Sequence, residues 1–470
     1  MNTVAAIPAK VQNDLSSDDL IRALDIRAPR YTSYPTADRF SDAFGTSDYQ
    51  RQLKALGSNS SSPLSLYLHV PFCESLCYFC ACNKMITRNH DKAEPYLRRV
   101  IKELDLVLDE IGQPRQVGQM HWGGGSPTFL RPEEIRKLMA NLRDRVELLP
   151  NGEYSIEIDP RAASREQIAV LGEEGFNRMS LGVQDFNPEV QRAVNRIQPA
   201  EMTERVLRQA RAAGFRSTNF DLIYGLPRQS VNRFESTMQA VVEMRPERIA
   251  LYNYAHLPSA FKAQRLIQDA DLPDAEEKFA IFQMAVESLE NAGYEYIGMD
   301  HFALPDDELA VARRAANLHR NFQGYSTQPD CDLIALGASA ISKIGTCYSQ
   351  NLRGIKEYCD ALDRGVLPVL RGVALNSDDL LRRELIMELM CQGRIDKQAV
   401  SASTQLAFDD QFANELTLLS QYEQLGLVIN TDNFIQVTES GRRKALRAIG
   451  AIFDHHLQTD QTRRGFSRVL

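Results

Sequence analysis

The chain of 470 residues carries 54 Lys and Arg against 62 Asp and Glu, a formal net charge of −8, with 43% hydrophobic and 25% charged residues. That is the profile of a folded globular protein with room for one catalytic domain plus smaller modules. Without a global basic field it excludes a protein that grips nucleic acid or an anionic membrane by bulk charge.

The start, MNTVAAIPAKVQNDLSSDDL, has no apolar stretch behind a basic end, and nowhere does the chain approach the ~20 uninterrupted apolar residues of a membrane span. A cytoplasmic protein with neither nucleic-acid nor membrane partners is the expectation. Residues 1–48 lack strong periodicity, and RAPRYTSYPTADR (27–39), with two prolines and several hydroxyls, reads as a segment laid over a larger body. From Leu64 the pattern becomes short β-like runs between longer helical ones: 65–70, 118–123, 154–159, 178–183, 218–223, 248–253 and 294–299.

Three of these runs follow a helical stretch, a glycine and an aromatic: Gly175-Phe176, Gly214-Phe215 and Gly293-Tyr294. Glycine suits the left-handed residue that ends a helix, and the aromatic suits the hydrophobic contact behind it. Strand–helix units repeating at about forty residues imply parallel strands with right-handed crossovers. The expectation is an α/β protein, a partial (β/α) barrel of about six parallel strands over residues 49–375, with a doubly wound open sheet as the alternative. Beyond residue 375, a helix from Ser377, a second over roughly 411–424, and a hairpin turning at Asn430–Asn433 predict a small, mostly helical, winged-helix-like domain over 376–470. Its 11 basic and 13 acidic residues argue against DNA binding.

Ligand-type residues gather after the strands. The first run leads to four cysteines, the second to Gly123-Gly124-Gly125-Ser126, the third to Glu157 and Asp159, the fourth to Gln184-Asp185; the fifth carries Asp221 and the sixth leads to Ala255-His256. In β/α barrels chemistry is built at the carboxyl ends of strands. Cys73, Cys77, Cys80 and Cys82 lie within ten residues, whereas Cys331, Cys347, Cys359 and Cys391 are scattered and read as small buried apolar residues. A CxxxCxxC loop can wrap three thiolates around one face of a [4Fe-4S] cluster and leave one iron open to a small chelate. Closed tetrahedral zinc and a plain electron-transfer cluster are the alternatives. In extended chain Cys80 and Cys82 point apart, which makes them awkward co-ligands.

HVPFCESLCYFCAC (69–82) resembles the cluster-binding signature of radical S-adenosylmethionine enzymes, and the fourth cysteine narrows the resemblance to the oxygen-independent coproporphyrinogen III oxidase family. The same family is matched by YTSYPT (31–36), HWGGG (121–125), SIEIDP (155–160), GVQDF (182–186), NRIQ (195–198), FDLIYGLP (220–227), GYST (324–327) and ALGASAIS (335–342). The resemblance implies that Cys73, Cys77 and Cys80 hold a [4Fe-4S] cluster whose fourth iron takes the methionine part of S-adenosylmethionine. Tyr67, Phe79, Gly124, Gly125, Ser126 and Glu157 match cofactor-contacting positions, with Ser126 standing where the family usually has Thr. Gln184, Arg196 and Asp221 match contacts to a second S-adenosylmethionine, and Ala255 and Ile341 match contacts to the adenosyl groups.

Cys82 is implied to matter for substrate or cofactor arrangement and is kept as a catalytic candidate. The implied reaction is radical oxidative decarboxylation of two propionates of coproporphyrinogen III to vinyl groups, giving protoporphyrinogen IX. A flavodoxin or ferredoxin is the implied electron donor, and a monomer is expected. Arg27, Arg30, Arg216 and Arg320 are candidate partners for the substrate's carboxylates. The rival is a haem chaperone paralogue that binds haem without decarboxylation; it generally lacks the fourth cysteine and the YTSYPT segment.

Overall fold

The structure, a computed structural model, describes residues 28–59 and 62–459; Arg27 and the chain before it lie outside the described residues. Six of the seven runs form parallel strands: β1 Leu64–Val70, β2 Gln116–Gly124, β3 Glu147–Ile158, β4 Arg178–Gln184, β5 Ser217–Tyr224 and β6 Arg248–Asn253. They lie side by side in chain order, each parallel to the next. The crossovers carry α1 Ala93–Ile111, α2 Pro132–Arg143, α3 Arg165–Glu173, α4 Ala200–Ala212 and α5 Val231–Met244, and α6 Ala275–Asn291 follows β6.

The seventh run departs from expectation. It forms β7 Glu295–Gly298, which pairs antiparallel with β8 His301–Ala303, itself antiparallel to β6. Met299 turns with φ +51° and the chain doubles back instead of crossing over. The seventh parallel strand is β9 Leu333–Leu336, which flanks β1 on its other side. Antiparallel β10 Ile341–Ile344, β11 Cys347–Asn351 and β12 Val369–Ala374 extend it. The twelve strands run β12-β11-β10-β9-β1-β2-β3-β4-β5-β6-β8-β7, with edges at β12 and β7.

The three glycine–aromatic signals do end helices. Gly175, Gly214 and Gly293 sit at φ +91°, +88° and +85°, and the following aromatic N–H reaches back to the carbonyl five residues earlier at 3.0, 3.1 and 3.0 Å, the 6→1 bond of a Schellman closure. Phe176 then packs edge-on to the fully buried Trp122 of β2, centroids 5.0 Å apart. Helix starts are set as clearly: Ser164 and Gln167 form a capping box at α3, and the side chains of Ser230 and Asp274 accept the N–H groups of Arg233 and Glu277.

Alternation along the parallel strands decides what each face does. Leu66, Leu68, Met120, Trp122, Ile156, Ile158, Met179, Leu181, Phe220, Leu222, Ile249 and Leu251 are buried in one apolar cluster with the helices. The intervening residues, Ser65, Tyr67, His69, Gln119, His121, Glu153, Ser155, Glu157, Arg178, Ser180, Asn219 and Asp221, share the other face because side chains alternate with period two. Cross-strand register sets Tyr67, His121, Ser155 and Arg178 in one row, and Glu157, Ser180, Asn219 and Arg248 in another.

The chain divides into two compact units. Of the described residues, one unit comprises Ala37–Ala312 and Ser326–Asn376; the other comprises 28–36, Arg313–Tyr325 and 377–459. The second unit contains α7 Ser377–Gln392, β13 Arg394–Asp396, α8 Ala413–Gln424, β14 Val428–Asn430 and β15 Phe434–Val437, the strands forming an antiparallel sheet in the order β13-β15-β14. Within that unit the Tyr31 hydroxyl donates to Asp454 Oδ2 at 3.0 Å, and Arg447 donates to the carbonyls of Ala28 and Pro29.

Candidate functional site

The cysteine loop leaves the carboxyl end of β1 and is tied at both ends. Phe72–Cys73 bridges Met85–Ile86, and Met85 and Thr87 donate their N–H groups to the Pro71 and Cys73 carbonyls at 2.6 and 2.8 Å. Between these ties, Tyr78 and Phe79 pack on a small apolar cluster of Val190, Val194, Leu226, Tyr254 and Ile267. Tyr78 N–H donates to the Val194 carbonyl, and Asn195 Nδ2 to that of Leu76. Gln264 Nε2 donates to the carbonyls of both Phe79 and Ala255, at 3.0 and 3.2 Å, so one side chain joins two predicted site residues from distant segments.

Two guanidinium groups reach the loop's buried thiol. Arg161 Nη2 lies 3.3 Å and Arg196 Nη1 3.5 Å from Cys77 Sγ. Both also grip Asp159, just past β3, at 2.7 and 3.2 Å. Burial pushes the Asp159 carboxyl up, but Arg196 and Arg161 outweigh it and hold it at about 2. Arg196 further donates to the Gly182 carbonyl at 2.6 Å, and a Cβ at Gly182 would lie 2.9 Å from the same guanidinium and 3.0 Å from Gln184 Nε2. Arg196, Gln184 and Cys77 therefore share one corner. Arg196 Nε is buried with no partner among the described residues.

A turn at Tyr78–Phe79 leads into Cys80. The neighbouring Cys82 thiol draws the Cys80 thiol down, and Cys80 in turn pushes the Cys82 thiol up. Lys84 Nζ donates to the Cys80 and Cys82 carbonyls at 2.9 and 3.4 Å. Cys73 and Cys80 are half-buried and Cys82 is exposed; of the scattered cysteines, Cys347 and Cys391 are buried and Cys331 and Cys359 half-buried.

Beside the loop, the polar face of β1–β3 forms a second group. Glu157 accepts from Gly124 N–H at 3.1 Å and from His121 Nε2 at 3.4 Å. Burial raises its carboxyl, yet these partners, His121 foremost, bring it below the usual range. His121 bonds Ser155 through Nδ1 at 2.6 Å and stacks on Tyr67, centroids 5.9 Å apart at 13°. The Asn83 carbonyl 2.9 Å from His69 Nε2 fixes a proton on that nitrogen, and burial keeps the ring neutral. Tyr67 therefore donates its hydroxyl to His69 Nδ1 at 3.1 Å.

The glycine run is required by the chain's own packing. A Cβ at Gly123 would lie 2.9 Å from the Glu157 carboxylate, one at Gly124 (φ +117°) 2.6 Å from the His69 ring, and one at Gly125 2.7 Å from the Pro71 backbone. Ser126 is buried and bonds Thr128 Oγ1 at 3.0 Å. Asp221 accepts from Ser180 and Asn219 at 2.7 and 2.9 Å, and burial, helped by the Glu157 charge, pushes it up to about 7. Ile341 starts β10, beyond the turn that follows β9.

Not every candidate converges. Arg216 is exposed at the amino end of β5, the end opposite the cysteine loop, and Arg27 lies outside the described residues. Arg30 and Arg320 fall in the other compact unit, where Arg320 donates to the Arg30 carbonyl at 3.3 Å and stacks over Tyr325. Conversely, Arg161, His121, Ser155, His69, Asn219 and Gln264 belong to the networks but had not been singled out. Polar residues alternating with apolar ones along β1–β5 were the available signal for all but Arg161 and Gln264.

Comparison with known proteins sets these networks in a family. Residues 67–241 match the radical SAM superfamily and residues 375–443 the HemN C-terminal domain. The oxygen-independent coproporphyrinogen III oxidase of Escherichia coli is 47% identical over 96% of this chain and 98% of its own length; those of Pseudomonas aeruginosa and Synechocystis are 46% and 44% identical over 96% and 97% of this chain and 98% of theirs. The solved structure of the Escherichia coli coproporphyrinogen III oxidase, described as a radical SAM enzyme, superposes with a TM-score of 0.87 at 47% identity, covering 91% of this chain and 98% of that one.

Proposed function

The chain belongs to the oxygen-independent coproporphyrinogen III oxidases of the radical SAM superfamily, and from that premise we infer how its own residues serve the reaction. The enzyme converts two propionate side chains of coproporphyrinogen III to vinyl groups in haem biosynthesis. Each conversion removes a hydrogen from the β-carbon, carbon dioxide and one further electron. The superfamily uses a [4Fe-4S] cluster and S-adenosylmethionine, which when bound supply the one-electron chemistry able to break that C–H bond.

The observation that carries the assignment of residues is the pair of guanidinium groups on Cys77. The sulfur there accepts N–H···S contacts from Arg161 and Arg196, and Cys73 and Cys80 lie in the same loop. Cys73, Cys77 and Cys80 would hold the cluster. Glu157, already ionised and held by Gly124 and His121, would accept from a ribose diol or ammonium, and Tyr67 would flank the same ligand with its ring fixed between His69 and His121. Arg196, Gln184 and Asp221 would receive a second S-adenosylmethionine, Arg196 as the partner of its carboxylate. Ala255 and Ile341 would contact adenosyl groups, Phe79 the cofactor beside the loop, Gly124, Gly125 and Ser126 the methionine moiety, and Cys82 would act in substrate or cofactor arrangement.

The same reading includes a flavodoxin- or ferredoxin-type electron donor and action as a cytoplasmic monomer; among the described residues no helix is long and apolar enough to cross a membrane. The test is anaerobic incubation of reconstituted protein with reductant, S-adenosylmethionine and coproporphyrinogen III. Vinyl product from wild type, absent with Cys77→Ala together with its iron and sulfide, supports the assignment. Cluster content unchanged by Cys77→Ala would refute it.

A further inference from the structure

We propose that Asp379, His455 and His456 form a binding site for one divalent cation of the zinc class, separate from the cysteine loop. One ligand atom from each of the three lies within 4.8 Å of the other two. Asp379 belongs to the first turn of α7 and is 3% exposed. Its Oδ1 lies 2.8 Å from His456 Nε2, and the two imidazole centroids are 4.0 Å apart at 34°. His455 Nδ1 lies 3.2 Å from Asp378 Oδ2 and 3.0 Å from the Tyr34 hydroxyl.

Two nitrogen donors and one carboxylate oxygen are a donor set that borderline cations such as Zn²⁺ accept, with a fourth position left for water. The Arg382 guanidinium nearby is held by Asp378 and Glu415 at 2.9 and 2.8 Å. Asp378 also stands where an outer carboxylate would orient His455. Tyr34 comes from the N-terminal segment, so a bound cation would help tie that segment to α7 within this unit.

The test uses anaerobically purified holoenzyme with its full iron content, dialysed to equilibrium against micromolar Zn²⁺. Expected are about one zinc per chain in the wild type, its loss in His456→Gln and in Asp379→Asn, unchanged iron in all three, and a zinc-dependent rise in thermal midpoint in the wild type alone. Zinc X-ray absorption of the wild type, which needs no variant to fold, should show nitrogen and oxygen neighbours. No zinc in the wild type, equal zinc in the variants, or sulfur neighbours would each overturn the site and leave the three residues a hydrogen-bonded clasp.

Discussion

Arg196 and Cys77, separated by 119 positions in the chain, meet with Nη1 3.5 Å from Sγ. The same Nη1 holds Asp159 at 3.2 Å. The contact joins the loop after β1 to the chain following β4, with the acidic residue after β3 between them. A guanidinium so neutralised can approach a thiol closely without imposing a full unbalanced charge. Arg161 repeats the arrangement at 3.3 Å.

Replacing Arg161 with Met removes one N–H···S contact and one positive charge near Cys77 while keeping an apolar stem. Positive charge and hydrogen bonds to cluster sulfurs favour the reduced state. The expected outcome is a midpoint potential lowered by roughly tens of millivolts at unchanged iron and sulfide, read by an EPR-monitored redox titration. A potential equal to wild type would show that Arg161 serves Asp159 alone.

His121→Phe keeps a ring against Tyr67 but removes the main partner that holds Glu157 ionised. Burial then acts unopposed by that partner, and the Glu157 pKa rises. S-adenosylmethionine affinity should fall by about tenfold at neutral pH, on the order of 1.4 kcal/mol, and should fall further as pH drops. Equilibrium binding of the cofactor across pH 6–8 checks this, with cluster content as the control.

Gly124→Ala and Gly175→Ala separate backbone strain from crowding. Both residues have positive φ, but a Cβ at Gly175 meets nothing within 4 Å, whereas one at Gly124 would lie 2.6 Å from the His69 ring. The expected cost is about 1 kcal/mol at Gly175 and about 2–4 kcal/mol at Gly124. Denaturant midpoints compared at constant m-value should show this order.

Asp221 predicts a pH signature. Burial foremost, and then Glu157, raise its carboxyl from 3.8 to about 7. The folded state therefore binds a proton that the unfolded state releases across that interval, so its contribution to stability is complete below pH 4 and is lost as pH rises to about 7. Asp221→Asn, which does not titrate, should flatten the decline in thermal midpoint between pH 5 and 7, an effect on the order of a few kcal/mol at most. An unchanged slope would place the proton elsewhere.

The fold was legible where chemistry repeats. Gly175, Gly214 and Gly293 predicted helix ends from residue type alone, because only glycine enters the left-handed region freely. They did not reveal that Gly293 leads to a hairpin, since the return at Met299 depends on pairing with β6 and not on a local signal. Leu333–Leu336 escaped notice because four buried apolar residues carry no period that separates strand from helix. At the site, the resemblance supplied residues on motifs, whereas Arg161 and Gln264 act through atoms that reach across the fold.

The two-sided strands of the first unit have a consequence for how such a chain can change length. Deleting or inserting one residue inside β2 or β5 would exchange His121 for Trp122, or Asp221 for Phe220, turning aromatic bulk toward the polar face and polar groups into the helix layer. Every later position of that strand would be inverted with it. Length variation is thus confined to segments beyond the strands, where loops such as Tyr254–Asp274 can lengthen without disturbing that parity.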